Sequence, residues 1–280
     1  MSQSLKIDAH QHFWKYDPLK HAWIDDSMSV LKRDFLPNNL KPVLEKSNLD
    51  GCIAVQADQS DEETKFLLDL AQDNSIIKGV VGWVDLQSPQ LESKLEKFSS
   101  QPLLKGFRHV LQDEADDEFI LRSDFIRGLE LLSKFDFTYD ILIFPKQLAA
   151  AKEAVSQLPK QAFVLDHIAK PAIGGKVTDT WKKGIHQLAQ YENVSCKISG
   201  MVTEAKWDEW KYEDFIPYLD FVLEQFGADR LMYGSDWPVC TLSGKYHEVF
   251  GLVNQYISTL SSSEQASIMG ENAVKFYKIN

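Results

Sequence analysis

Three histidines and one aspartate supply the residue types that hydrolytic chemistry needs. His10 and His12 stand two apart in the run Asp8-Ala9-His10-Gln11-His12-Phe13-Trp14. Residues at i and i+2 of an extended strand share a face, so both imidazoles point the same way. Imidazole is the commonest ligand of zinc-like ions, and such a pair sends two nitrogens toward one point. His167 follows Asp166 at the end of an apolar run, and Asp236 follows Gly234-Ser235 at the end of another. Taken singly, each has an ordinary explanation: packed histidines, a capped turn, a buried hydrogen-bonded pair. They become chemistry only if one scaffold gathers them, with a carboxylate to move a proton and imidazoles to hold an ion or polarise a carbonyl.

The scaffold is legible in the alternation of elements. Runs rich in β-branched and aromatic residues at 5–11, 51–56, 79–84, 105–111, 137–143, 163–166, 194–199 and 230–234 read as strands. Most are apolar throughout, as parallel strands covered on both faces are. Each gap is long enough for a crossover helix. Ser60-Asp61-Glu62-Glu63 and Ser261-Ser262-Ser263-Glu264 are capping boxes, the second opening a final helix through Met269 to Tyr277. Ser88-Pro89 places proline at a first helical position. This predicts an α/β fold, a (β/α)8 TIM-type barrel forming one domain over residues 1–280. A doubly wound open sheet is the rival, but no Gly-rich phosphate fingerprint follows the first strand.

In such a barrel, catalytic groups project from the C-terminal strand ends. His10 and His12 close the first strand, Arg108 and His109 lie in the fourth, and Asp140 in the fifth. Asp166 and His167 close the sixth, Lys197 lies in the seventh, and Asp236 closes the eighth. The long connection after His12 carries Trp14, His21 and Trp23 and has the length of a lid.

Composition excludes other classes. A net charge of −11, from 41 acidic and 30 basic residues, argues against nucleic-acid and anionic-membrane partners, which require concentrated basic surface. Three scattered cysteines make no disulfide framework. Cys52 and Cys196 sit in strand-like runs, whereas Cys240 follows the Asp236 motif, where it could line a pocket. The N-terminus lacks the apolar stretch of a signal peptide, and no run of ~18 apolar residues occurs. The expectation is a soluble, cytoplasmic enzyme acting on a small molecule, with its oligomeric state open.

Leu165-Asp166-His167-Ile168-Ala169-Lys170-Pro171, Cys196-Lys197-Ile198-Ser199-Gly200 and Gly234-Ser235-Asp236-Trp237-Pro238, with the His10/His12 run, resemble signature blocks of the amidohydrolase superfamily. They are most similar to its branch of sugar-acid lactonases, of the L-fucono- and L-rhamnono-lactonase kind. Gly106-Phe107-Arg108-His109 and Glu271-Asn272-Ala273 fit the same pattern. The resemblance implies the barrel, hydrolysis of a sugar-acid lactone, and a site built from His10, His12, His167 and Asp236. It also brings a departure. Two-metal members carry a bridging Lys or Glu on strand four and a histidine on strand five, where this chain has Arg108-His109 and Tyr139-Asp140. A binuclear centre is therefore not expected. His10, His12 and Asp236 remain able to hold one divalent ion, zinc being the natural choice, and that ion is potentially dispensable.

On this reading Asp236 is the general base and His167 polarises the carbonyl, with Arg108 gripping a substrate oxygen through its planar fork. Alternation along strand four lets only one of Arg108 and His109 face the lumen, with Arg108 favoured. Trp14 is a candidate wall for the sugar ring; Asp140 either bonds a sugar hydroxyl or is salt-bridged to a neighbouring strand, and Lys170 and Lys197 either orient substrate or neutralise nearby carboxylates. Trp207 and Trp210 are further wall candidates, while His21, His186 and His247 read as surface or helix residues. The alternatives are a metal-dependent decarboxylase of the same superfamily and a non-catalytic sugar-acid binding protein.

Overall fold

The structure, a computed structural model, describes residues 4–279. Eight parallel strands follow one another in chain order round a single sheet: β1 (Ile7–Gln11), β2 (Gly51–Val55), β3 (Ile77–Gly82), β4 (Leu104–His109), β5 (Thr138–Ile141), β6 (Phe163–Leu165), β7 (Val194–Ile198) and β8 (Leu231–Tyr233). The ring closes just past the ends of β1 and β8. The Asp236 amide donates to the His10 carbonyl at 2.8 Å, and the His12 amide to the Trp237 carbonyl at 2.7 Å. That closure excludes the open doubly wound sheet.

The continuous apolar runs of the sequence become two cores. Cys52, Ala54, Phe107, Tyr139, Leu165 and Cys196 face outward and pack under the helices. Ile7, Ala9, Ile53, Val55, Val81, Val164 and Met232 fill the inside of the ring. Eight helices alternate with the strands: α1 (Pro37–Lys46), α2 (Asp61–Asp73), α3 (Leu91–Phe98), α4 (Ser123–Lys134), α5 (Leu148–Gln157), α6 (Asp179–Ala189), α7 (Tyr212–Phe226) and α8 (Tyr246–Ile257).

The capping signals hold at two of three places. Ser60 Oγ accepts from the Glu63 amide at 3.1 Å, and Ser261 with Glu264 completes both halves of its box. Ser88-Pro89 instead precedes α3, which starts at Leu91, because Ser88 Oγ spends itself on the Gln90 amide in a local turn. The expected last helix is split into α9 (Ser262–Ala266) and α10 (Asn272–Phe276). The break lies where Gly270 meets the start of β1, and a Cβ there would sit 1.8 Å from the Leu5 carbonyl oxygen. After this close approach Ala273, Tyr277 and Ile279 plug the bottom of the ring. The connection over residues 12–36 is clasped by paired Trp14–Phe35 backbone bonds, both 2.9 Å, and leads Trp23 to the opposite mouth.

Candidate active site

A bulge in β1 aims the first two histidines. Asp8 pairs with Cys52 and Gln11 with Ala54, three steps on one strand against two on the other. Strict alternation would put Asp8, His10 and His12 on one face. The extra residue sends Asp8 outward instead, where it accepts from the Tyr246 hydroxyl of α8 at 2.9 Å and the Ser235 amide at 2.9 Å. Asp8 thereby ties the ends of β1 and β8 together, while His10 and His12 both enter the lumen.

The carboxylate and three imidazoles converge there. Asp236 Oδ1 lies 3.3 Å from His12 Nε2, 3.9 Å from His10 Nε2 and 4.0 Å from His167 Nε2. All four residues are buried. His12 Nδ1 sits 2.8 Å from the Val55 carbonyl, which can only accept, so that nitrogen carries the ring proton. Its Nε2 lone pair then faces a carboxylate oxygen. Two acceptors at 3.3 Å require a proton or a cation between them. Ligand atoms of His10, His12 and Asp236 fall within 4.8 Å of one another, as do those of His10, Asp166 and His167. The His10, His12 and Asp236 set therefore fits a single divalent ion by both chemistry and spacing.

His167 is delivered by an unusual turn. Residues 167–170 take four successive left-handed conformations, φ 55°, 49°, 60° and 50°, with no glycine among them. Such backbone is costly and persists only where surroundings dictate it. Here the Trp181 indole N–H holds the Ile168 carbonyl at 2.7 Å. Gly200 lies beneath the imidazole, where a Cβ would meet His167 Nδ1 at 2.4 Å. Asp236 is likewise left-handed, φ 58°. Burial lowers the His167 pKa to about 4 against the pull of Asp236, so the ring is neutral at neutral pH. Burial would raise the Asp236 carboxyl, but the imidazoles around it win and hold it well below the usual carboxylate range.

A cavity of about 490 Å³ opens above this cluster. Of the residues singled out in the sequence, His12, His167, Asp236, Arg108 and Lys170 line it. Lys170 Nζ is held 3.1 Å from Glu204 Oε1 and 3.2 Å from Gln112 Oε1, a polar wall in which Glu204 had no sequence signal. Trp207 and Trp23 add apolar wall, whereas Trp210 is bonded away to the Ser243 carbonyl.

Other candidates lie elsewhere. His109 points out of the ring, stacked on Phe119 and 2.7 Å from Glu114 Oε1, because Arg108 takes the lumen side. Trp14 is fully buried against Phe35 and Trp23, with its indole N–H on the Arg33 carbonyl, so it supports the lid rather than lining the cavity. Cys240 is buried too and lines no part of it. Asp140 sits below the site with Lys197. The Lys197 ammonium lies 2.5 Å from Asp140 Oδ2, 3.0 Å from Asp166 Oδ1 and 3.1 Å from His10 Nδ1. Lys197 is thus a neutraliser of carboxylates, sealed from the cavity.

The comparisons agree with this architecture. The family model described as amidohydrolase matches residues 7–279. An L-fucono-1,5-lactonase of Burkholderia multivorans is 41% identical, the match covering 99% of this chain and 97% of that protein. Another, of Burkholderia ambifaria, is 34% identical over the same shares, 99% and 97%. An amidohydrolase from Burkholderia multivorans, solved with bound zinc, superposes with a TM-score of 0.95 at 41% identity, covering 99% of this chain and 100% of that one. With the family model matched from strand β1 to the end of the described structure and full-length relatives at 41% and 34% identity, the chain belongs to the amidohydrolase family.

Proposed function

We propose that this protein is a carboxylic ester hydrolase that opens a sugar-acid lactone of the L-fucono-1,5-lactone type. The observation that carries the reading is a buried Asp236 carboxylate facing a polar-walled cavity, within 3.3–4.0 Å of three imidazole nitrogens. The full-length lactonase relatives supply the substrate class.

A lactone is an activated ester, so a weak base suffices if it is always ionised and correctly placed. Water attacks the ring carbonyl carbon, and Asp236 takes one of its protons. The bond from that carbon to the ring oxygen then breaks, and Asp236 returns the proton to the leaving hydroxyl. His167, fixed by Ser199 Oγ at 2.9 Å, turns its Nε2 edge toward the reacting centre. Arg108 keeps both terminal nitrogens on protein partners, but its buried Nε–H has none among the described residues. That donor is the one left for a substrate oxygen. Lys170 and Glu204 offer a donor and an acceptor to ring hydroxyls. His10, His12 and Asp236 would hold a zinc-type ion, whose chemistry when bound is carbonyl polarisation and a more acidic water.

No helix among the described residues is long and apolar enough to cross a membrane. We place the activity in cytoplasmic carbohydrate breakdown, where the free thiols of Cys52, Cys196 and Cys240 stay reduced. A lactone panel read by a pH indicator, run beside a decarboxylation assay on aromatic acids, tests the reading. Acid release from L-fucono-1,5-lactone, with no carbon dioxide from the acids, is expected. Decarboxylation without lactone turnover, or tight sugar-acid binding without any turnover, overturns it.

A further inference from the structure

We propose that Arg108 sets the metal affinity of this site by competing with a divalent ion for the lone pair of His10 Nε2. Arg108 Nη1 lies 3.3 Å from that nitrogen and 3.2 Å from Asp166 Oδ2. A guanidinium can only donate, and it stays charged at any pH a protein survives. His10 Nε2 therefore accepts, which leaves the ring proton on Nδ1, between Asp166 Oδ1 at 3.2 Å and the Lys197 ammonium at 3.1 Å. With both a carboxylate and a cation behind it, Nε2 gains no clear sharpening toward a metal, and its lone pair is already engaged by Arg108.

Arg108 is not free to swing aside. Its Nη2 is bonded to the Gln56 carbonyl at 2.6 Å and lies 3.3 Å from Gln56 Oε1, and the side chain is 5% exposed. An ion reaching His10 must break the guanidinium contact and then sit beside a permanent positive charge. His12 has no such rival among the described residues: its Nε2 faces Asp236 and no cationic side chain bonds it. The site is half prepared, with His12 and Asp236 ready and His10 withheld. Arg108 comes from β4 and brings a fixed cation to the lumen beside His10.

The probe is zinc chloride, titrated calorimetrically into chelator-stripped protein. Arg108→Gln and Arg108→Met remove the competitor, and each is expected to bind zinc at least about tenfold more tightly than the parent, a factor worth about 1.4 kcal/mol. Cobalt(II) in either variant should show a visible spectrum with added imidazole ligation. Equal or weaker zinc binding by variants whose circular dichroism and melting match the parent overturns the proposal. Should neither variant fold, the parent protein still decides. With arginine labelled by nitrogen-15, saturating zinc must shift the Arg108 Nε–H resonance; an unmoved resonance while His12 shifts refutes the competition. Lactone turnover enters neither readout, so these results stand apart from the substrate assignment.

Discussion

The lumen of this barrel holds two charged clusters, one above the other, that solve opposite problems. At the rim, Asp236, His12 and His167 face a cavity, and their polar atoms are left partly unmatched: a lone pair against a carboxylate, and Arg108 Nε–H without a partner among the described residues. At the floor, Lys197, Asp140 and Asp166 are wholly sealed and the one ammonium meets both carboxylates, although Asp140 Oδ1 and Asp166 Oδ1 accept no hydrogen bond among the described residues. Tyr277, from the C-terminal plug, caps Asp140 Oδ2 at 2.9 Å. Burial of an unmatched group costs free energy, and a site that keeps such groups keeps them for a ligand. Matched buried charges instead fix geometry and are vulnerable to losing one member. His10 and Asp166 join the two layers, so the floor orients the rim.

The sharpest break of this contrast is Asp236→Asn. Asn tolerates the left-handed backbone at this position and preserves the shape, while removing the proton acceptor. Turnover of the lactone should fall about 10²–10⁴-fold, the range typical of a lost general base, with thermal unfolding little changed. Near-parental kcat would remove Asp236 from the chemistry. Unfolding of the variant would instead make the rim structural.

Lys197→Met should do the reverse. It leaves Asp140 and Asp166 buried without their shared counter-charge, and loss of about 3–5 kcal/mol is expected in denaturant titration. Asp140 already has its pKa raised to about 6, burial outweighing the ammonium beside it. Adding Asp140→Leu to Lys197→Met removes one of the stranded carboxylates and should recover much of the loss. A single variant as stable as the parent would show that the floor charges do not hold one another.

The two layers were not equally legible in the sequence. Apolar runs spaced for crossover helices announce the barrel, since parallel strands must be covered on both faces. Residues at the strand ends, His10, His12, His167 and Asp236, were legible because the fold dictates where side chains reach a mouth. Strand ends were less so: β3 runs from Ile77 to Gly82 rather than over 79–84, since the Trp83 amide turns to Thr64 Oγ1 and leaves the ladder. The β1 bulge has no local signature, because it depends on how β1 meets β2 and on Asp8 finding Tyr246. Nor does the left-handed turn at 167–170, which contains no glycine and is imposed by Trp181 and the tight seat at Gly200. His21 reads as surface but is 2% exposed beside Trp14, buried by the fold of the lid. Glu204 ends a single 3-10 turn after β7, Val202–Glu204, too short for any periodicity to mark it.

Glu63 gives the smallest test, and it asks whether the rim tolerates an uncompensated carboxylate outside the catalytic group. Its Oε1 accepts from the Ala57 amide at 3.0 Å, which shapes a loop lining the cavity, and no salt bridge reaches it among the described residues. Burial raises its pKa from 4.5 to about 7. A raised carboxyl pKa means that the folded state holds the proton more tightly than the unfolded chain. Stability from this group is therefore fully present below about pH 4.5, declines as pH rises toward 7, and stays lost above it. The decline amounts to about 3 kcal/mol. Glu63→Gln keeps the acceptor oxygen for Ala57 and cannot ionise. It should unfold at higher denaturant than the parent at pH 8, by up to that amount, and match it near pH 4.5. A constant difference across the range would mean that packing, rather than charge burial, separates the two proteins.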